Sequence, residues 1–332
     1  MTTPTVTFIV PVRNDAARLG VCLKSIMANG AGGARVQIIV VDNESTDGSG
    51  DVARRAGATV LRSGASSVAE LRNRAATQAP GEILAFVDAD HEISSAWVTA
   101  ALASFRVADV AAAGALCLAP IDGTWVQRAY GLLRGIPRGH HDVEWLGSGN
   151  LAIRREVFQA VSGFDASLTA CEDVDLCNRV RAAGGRIVSN ADMRNVHYGD
   201  PATLRAVFKG ELWRGRDNLR VSFRTRTSWK SLVSAVLPVI DLTLLAVAVA
   251  ATVGAPIYGP TSLWIALGAL ATVVTGAALR PLRTWRREGS RIRALALLQT
   301  WLVACAYDLG RALALVTRAP HRSAPSEVVA AQ

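Results

Sequence analysis

Short apolar runs alternate with amphipathic stretches over the first 118 residues. The runs Thr5–Pro11, Val36–Val41, Thr59–Arg62, Ile83–Val87 and Val110–Leu116 are rich in β-branched side chains and bounded by Gly, Pro, Asn or Asp. That pattern predicts strands. Helical spacing fills the gaps, at about 15–28, 49–56, 66–79 and 94–105. Strictly alternating strands and helices predict an α/β fold with a mostly parallel sheet. Ligands of such sheets gather at the carboxyl ends of the strands. Asp42 and Asp88 stand at two of those ends.

Residues 119–150 break the rhythm. They are rich in Gly, Trp, Arg and His and read as a long irregular segment, the kind that more often serves function than mere connection. Helical patterning returns at Arg154–Val161 and Asp173–Ala183. Further on, no charged residue occurs from Leu242 to Leu279, and extending back to Ser231 adds only Asp241. Gly254-Ala255-Pro256 and Gly259-Pro260 divide this stretch into two spans, about 232–253 and 261–279, each long enough to cross a bilayer. Ala294–Thr317 is a third candidate, either spanning or interfacial. It contains Asp308 and Arg311, three apart on one helical face and expected to pair.

Charge sharpens this division. The net +9 is uneven: residues 1–200 carry 19 Lys/Arg against 21 Asp/Glu, and residues 201–332 carry 17 against 6. Positive charge flanking apolar stretches suits an anionic membrane surface rather than nucleic acid. Eight basic residues lie between Arg205 and Lys230 and six between Arg280 and Arg293. By the positive-inside rule both clusters stay cytoplasmic, with the first two spans as a hairpin and the N-terminal domain facing the cytoplasm. Five scattered cysteines without a CxxC pair form no disulfide framework and fit a reducing compartment. Val6–Val10 is too short for a signal-peptide core.

The chemistry begins at Asp88-Ala89-Asp90, where the strand Ile83–Val87 runs out. Residues two apart in extended chain point the same way. Asp88 and Asp90 are therefore expected to converge on a hard cation, Mg²⁺ or Mn²⁺, that bridges to substrate phosphates; helix capping and solvation are the bland alternative. Val40–Ser49 is a strand end, a polar turn and a helix start. Its Asp42 is expected to keep a free carboxylate for a nucleobase, whereas Asp47 is expected only to shape the turn and cap the helix. Pro11, Arg13 and Asp15 follow the first strand and line the same crevice. Arg72, on the helix before the Asp88 strand, is placed either to meet a diphosphate or on a solvated face. Cys171-Glu172-Asp173-Val174-Asp175 opens a helix with acids in its first turn, which is ordinary capping unless one carboxylate serves as general base. Asp173 is the candidate base, with Glu172 beside it. His197 is a candidate further metal ligand, the alternative being a structural histidine.

Taken in order, VTFIVPVRND, VVDNESTDGS, LRNRAA, FVDAD, GSGNLAIRREVF with GFD, and CEDVDL resemble the inverting family 2 glycosyltransferases of GT-A fold, in particular membrane-anchored bacterial members. The resemblance covers roughly residues 5–200. It departs at Ala75, where the family pattern has glycine, and at Ser162. It lacks the Gln-x-x-Arg-Trp signature of processive synthases. It implies a Rossmann-like catalytic domain in which Asp42 contacts the base of a UDP-, GDP- or dTDP-sugar. Asp88 would hold ribose or sugar, Asp90 the metal, and Asp173 would deprotonate an acceptor hydroxyl. Gly147–Asn150, with Gly149 and Asn150 foremost, and the 119–146 segment would shape the acceptor side and close over the donor.

The expected organisation is a catalytic domain over 1–200, a basic interfacial helix or linker over 201–230, a membrane region over 231–318 and a flexible tail over 319–332. The expected acceptor is a lipid-linked glycan or cell-envelope precursor at the cytoplasmic membrane face. Trp213, Arg214 and Arg216 are then candidates to hold its phosphates, against the alternative of a generic positive-inside flank. Transfer to a polyprenyl phosphate itself is a second reading within the class. A non-catalytic nucleotide-binding membrane scaffold is a reading of another class.

Overall fold

The computed structural model describes residues 5–29, 33–65, 67–224, 229–288 and 292–317. The tail expected over 319–332 lies outside them. The chain divides into two compact units, Met1–Pro120 with Ile136–Gly199, and Ile121–Gly135 with Asp200–Pro320.

The first unit is built on an eight-stranded sheet among the described residues. Its strands are β1 (Thr5–Val12), β2 (Arg35–Asp42), β3 (Thr59–Arg62), β4 (Ile83–Val87), β6 (Val110–Gly114), β7 (His140–Asp142), β8 (Asn150–Arg154) and β9 (Arg186–Asn190), in the order β3-β2-β1-β4-β8-β6-β9-β7. The first four strands are mutually parallel, as are β6 and β9. β8 runs antiparallel between β4 and β6, and β7 antiparallel on the edge beside β9. A separate ribbon pairs β5 (His91–Ile93) with β10 (Asn195–His197) and sets His91 opposite His197. Helices α1 (Ala16–Met27), α2 (Ser49–Arg55), α3 (Val68–Gln78), α4 (Trp97–Phe105), α6 (Arg155–Ala160) and α7 (Glu172–Ala182) complete the unit.

The sheet is apolar on both faces, as a covered parallel sheet must be. Along β1, Phe8 and Val10 join one core with Leu19 and Trp97, while Ile9 joins the other with Phe86, Phe158 and Phe164. The Phe8 and Trp97 rings lie 5.2 Å apart, and Phe86 lies 5.0 Å from Phe164. Burying each of these side chains stabilises the fold by roughly 1.5–3 kcal/mol. Every residue of β4 is buried, which anchors the turn that follows it.

The second unit is helical in its described residues: α5 (Trp125–Arg134), α8 (Leu204–Arg214), α9 (Asn218–Arg224), α10 (Trp229–Tyr258), α11 (Pro260–Gly276), α12 (Leu279–Glu288) and α13 (Ala294–Ala314). Helix α5 corrects the expectation of an irregular 119–150 segment. Thr124 and Gln127 form a reciprocal capping box at its start, which satisfies two of the helix's orphan donors. The stretch expected over 201–230 as a basic interfacial helix or linker contains α8 and α9. Two segments are long and apolar enough to cross a membrane, Leu232–Tyr258 and Pro260–Arg286. They contain both sequence-predicted spans, and α10 and α11 pack through Ala248, Ala266 and Ala269.

Asp308 and Arg311 were expected to pair with each other. Instead each has a partner on another helix: Arg280 Nη2 donates to Asp308 at 2.5 Å, and Arg311 Nε donates to Glu211 at 2.8 Å. Glu211 is wholly buried and also accepts from Arg214 Nη1 (2.6 Å) and Tyr130 Oη (3.0 Å). Burial alone would raise its pKa, but Arg214 and Arg311 hold it below the ordinary carboxylate range. Removing one partner of a buried pair leaves an uncompensated charge. We expect Glu211→Ala to cost about 3 kcal/mol or more, read as a lowered thermal midpoint in detergent; an unchanged midpoint would show the pair to be idle.

Candidate active site

The site grows from the carboxyl ends of β1, β2 and β4. Two polar turns are stitched together at the first two. Asn14, with φ of 51°, accepts from Thr46 N through Oδ1 (2.8 Å), and Asn14 N donates to Ser45 Oγ (3.0 Å). Asp47 accepts from Ala16 N (2.8 Å) and Ser49 N (3.0 Å), the turn-and-cap role expected of it. Its neighbour Asp42 departs from expectation. It is 3% exposed and its Oδ1 accepts from Ser45 N at 2.9 Å, so its carboxylate shapes the turn rather than standing free. Pro11 is buried within β1, Arg13 is exposed, and Asp15 is salt-bridged to Arg18 at 2.6 Å.

At the end of β4, Asp88-Ala89-Asp90 forms a tight turn, closed by His91 N donating to Asp88 O at 3.1 Å. The two aspartates are therefore not presented by extended chain, and they part company. Asp88 Oδ1 is taken by Arg72 Nη2 at 2.6 Å. Asp90 instead joins His91 and His197, with ligand atoms of all three within 4.8 Å of one another. His197 Nε2 lies 3.3 Å from Asp90 Oδ2, and the two imidazoles meet edge-on with centroids 4.3 Å apart.

This donor set fits a divalent first-row metal. His91 Nδ1 is 2.6 Å from the Gly149 carbonyl and 2.8 Å from Asn195 Nδ2, which hold the ring so that Nε2 faces Asp90, 3.8 Å from its Oδ1. Burial, then the neighbouring His197, pushes the His91 pKa down to about 4, so the ring is neutral at physiological pH. Burial would raise the pKa of Asp90, but hydrogen bonding and charge from His197, then His91 and Arg18, hold it far below the ordinary range. Gly199 is required beside it: a Cβ there would sit 1.8 Å from Asp90 Oδ2.

Residues 147–149 connect this cluster to the start of α7. A Cβ on Gly149 would lie 2.4 Å from His91 Cε1 and 2.9 Å from Asp88 Oδ2. One step back, Ser148 Oγ is 3.2 Å from Glu172 Oε1, and Ser148 N donates to Asp173 Oδ2 at 3.4 Å. Burial, then the charge of Glu172, pushes the Asp173 pKa up to about 7. Arg72 is only 2% exposed and bridges Asp88 to Glu172, the latter at 2.8 Å. It is thus an internal clamp and does not lie on the solvated face that is the alternative to a diphosphate contact. Glu172 serves the same clamp, whereas Asp173 is held by backbone donors, its Oδ1 accepting from Val174 N at 2.8 Å. Asn150, expected on the acceptor side, is wholly buried and spends its amide on Trp97 Nε1 (2.7 Å), Ala115 O (3.1 Å) and Met193 O (2.9 Å). It is scaffold.

In the helical unit, Arg214 has internal partners in Glu211 and Tyr130, so the lipid-phosphate role expected of it competes with a buried ion pair. His91 was not singled out from sequence, and its signal there is its place directly after Asp90; Ser148 lies within the Gly147–Asn150 segment expected on the acceptor side. Gly149→Ala drives a methyl group into His91 and Asp88. We expect the folded protein to bind metal at least about tenfold more weakly, measured by calorimetry; unchanged affinity would show that the loop does not fix His91.

The sheet order, the acidic turn after β4 and the carboxylate at the start of α7 together define a GT-A fold. Two solved structures share it: a mannosyltransferase from Pyrobaculum calidifontis in complex with GDP-Man and Mn²⁺ (TM-score 0.55, 19% identity, 93% of this chain and 87% of that one), and residues 1–349 of S. aureus TarS (TM-score 0.50, 16% identity, 93% and 90%). Residues 7–161 match Glycosyl transferase family 2, so that stretch of the chain carries a domain of the family. The O-antigen biosynthesis protein RfbC of Myxococcus xanthus is 33% identical over 160 residues, which is 41% of this chain but 12% of that protein. Glycosyltransferase AglE of Haloferax volcanii is 24% identical over 209 residues, 60% of this chain and 69% of its own length. The pre-mycofactocin glycosyltransferase of Mycobacterium tuberculosis is 27% identical over 195 residues, 55% and 40% respectively.

Proposed function

We propose that this protein transfers a sugar, with inversion, from a nucleotide-diphosphate sugar to a hydroxyl of a lipid-linked or cell-envelope acceptor at the cytoplasmic membrane face. One observation carries the reading. Residues 147–149 touch the Asp90–His91–His197 donor set at one end and Asp173 at the other. A leaving diphosphate and an attacking hydroxyl can therefore be served across three residues of chain.

Asp90, His91 and His197 would hold the metal, and two imidazole nitrogens beside one carboxylate favour Mn²⁺ over Mg²⁺. When bound, the ion supplies Lewis-acid charge to the departing nucleotide diphosphate. Asp173 takes the proton of the acceptor hydroxyl as its oxygen attacks the anomeric carbon from the face opposite the leaving group. One displacement inverts the centre, and no enzyme nucleophile is needed. Arg72 holds Asp88 and Glu172 in place. The Asp88 oxygen not bound to Arg72 is available for a ribose or sugar hydroxyl. The turn shaped by Asp42 receives the base. The hairpin α10–α11 anchors the protein, and the basic flanks orient it.

The test uses the full chain purified in detergent, with UDP-, GDP- and dTDP-sugars in Mn²⁺, Mg²⁺ or EDTA. We expect slow metal-dependent release of one nucleotide, accelerated by membrane lipid extract. Absence of both turnover and calorimetric donor binding would favour a scaffold instead.

A further inference from the structure

Helix α13 reads in sequence as a third apolar span, yet most of its length is tied to short charged helices. It buries Thr300, Val303, Ala304, Gly310, Ala312 and Ala314. Val303 shares a core with Val126, Ala129 and Tyr130 of α5 and with Val207 of α8. The crossing with α8 is close: a Cβ on Gly310 would stand 2.7 Å from Phe208 O, and one on Gly215 would stand 2.6 Å from Ala314 Cβ. The Arg311–Glu211 pair closes the same contact. Tyr307 lies between the Arg280 and Arg311 guanidinium groups, 4.6 and 5.1 Å from its ring centroid.

α13 also meets α10, and its Trp301 Nε1 donates to Val274 O of α11 at 2.9 Å, but α5 and α8 cannot be membrane spans. α5 has 10 residues and α8 has 11, against the roughly 20 needed to cross the hydrocarbon core. They carry Arg128, Arg134, Arg205 and Lys209. A helix fixed along these cannot also traverse the bilayer. Its outward face is nevertheless apolar: Leu295, Leu298 and Leu302 are exposed and recur at three and four residues, one stripe of a helix. Helix α12 continues the pattern. Its Thr284 is buried and reaches Leu132 O of α5 at 3.4 Å, while Leu282 and Trp285 are exposed beside exposed Arg283 and Arg286. Leucine and tryptophan flanked by arginine is the chemistry of a helix lying in an anionic lipid interface.

We propose that α12 and α13 lie in the plane of the membrane surface, their leucine stripe and Trp285 in the headgroup–acyl boundary and Arg283 and Arg286 on anionic headgroups. The chain then crosses the bilayer twice, and the residues before α10 and after α13 stand on the same side. This rests on the reading of α10 and α11 as spans.

Two measurements on the full chain test it. Alkaline phosphatase is inserted at Gly259 or fused after Thr317. Activity at Gly259 with none after Thr317 is expected. Activity after Thr317 would overturn the proposal by showing a third crossing, whereas inactivity at Gly259 would instead remove the two spans on which it rests. Second, Cys117, Cys171 and Cys305 are replaced by serine, leaving Cys22 and Cys177 buried. Spin labels are then placed singly along 294–303, in vesicles of phosphatidylglycerol and phosphatidylethanolamine. Accessibility to oxygen against a nickel chelate should oscillate with the helical period, with 295, 298 and 302 at one shallow depth. A steady gradient in depth would mean a span, and aqueous exposure at all three would mean no bilayer contact; either result rejects the proposal.

Discussion

Asp173→Asn is expected to lower kcat by about 10²–10⁴-fold, the usual worth of a positioned general base, while donor binding stays within about twofold of wild type. The substitution keeps shape and removes only the ability to accept a proton. The wild-type pH profile gives a second reading of the same residue. Its pKa is pushed up to about 7 by burial and by Glu172, and the base works only when ionised. Turnover should therefore fall as pH drops through about 7 and level off above it, and the limb should vanish in Asp173→Asn. Linkage gives the sign of the stability effect. A carboxyl group whose folded pKa lies above its unfolded one binds protons more tightly when folded. Its contribution is therefore present at low pH and lost as pH rises through the folded value. At pH 8 the asparagine variant should melt at or above the wild-type temperature, as expected where an active site is held at a cost to the fold. A variant that keeps full turnover, or whose acid limb is unmoved, would remove Asp173 from the proton transfer.

The fold and the site differ in how much of each could be read from the chain. The strands β1 to β4 and β6 were legible to within about two residues, because an apolar run closed by Gly, Pro or Asp has few other meanings. The antiparallel insertion of β8 was not, since register against β4 is set by tertiary pairing. Helix α5 was hidden because its glycine and arginine content masks a capping box that only Thr124 and Gln127 announce. Within the site, motifs identified the neighbourhood and misassigned some occupants. Arg72, Glu172 and Asn150 occupy positions that suggest ligand contact. Yet a buried guanidinium needs two carboxylates and a buried amide needs its full set of partners, and neither requirement appears in spacing. His91 illustrates the converse. Nothing in a lone histidine after Asp90 reveals that a two-stranded ribbon with 195–197 sets it opposite His197. The Glu211 network is of the same kind, since its partners lie 81 and 100 residues away.

Asp90→Ala should abolish metal-dependent turnover. Of the three groups that converge after β4, Asp90 supplies the carboxylate. Two imidazoles without it leave a site with no carboxylate to offset a dication, and affinity for Mn²⁺ should fall by at least about 100-fold. Losing the ion removes several kcal/mol of charge stabilisation on the leaving diphosphate, so kcat/KM should drop on the order of 10³-fold, equivalent to about 4 kcal/mol. A companion variant separates ligation from simple damage. Gly199→Ala leaves every ligand in place chemically, but its methyl group would lie 1.8 Å from Asp90 Oδ2 unless the carboxylate moves. It should therefore weaken Mn²⁺ binding in calorimetry and broaden the manganese resonance spectrum while thermal stability changes little. If both variants bound Mn²⁺ as tightly as wild type, the ion would have to sit elsewhere, and the Asp88 side of the turn would be the place to look. Asp88→Ala serves as the control on that point: with Oδ1 already committed to Arg72, its removal should weaken donor binding and free a buried guanidinium, yet leave Mn²⁺ affinity within about tenfold of wild type.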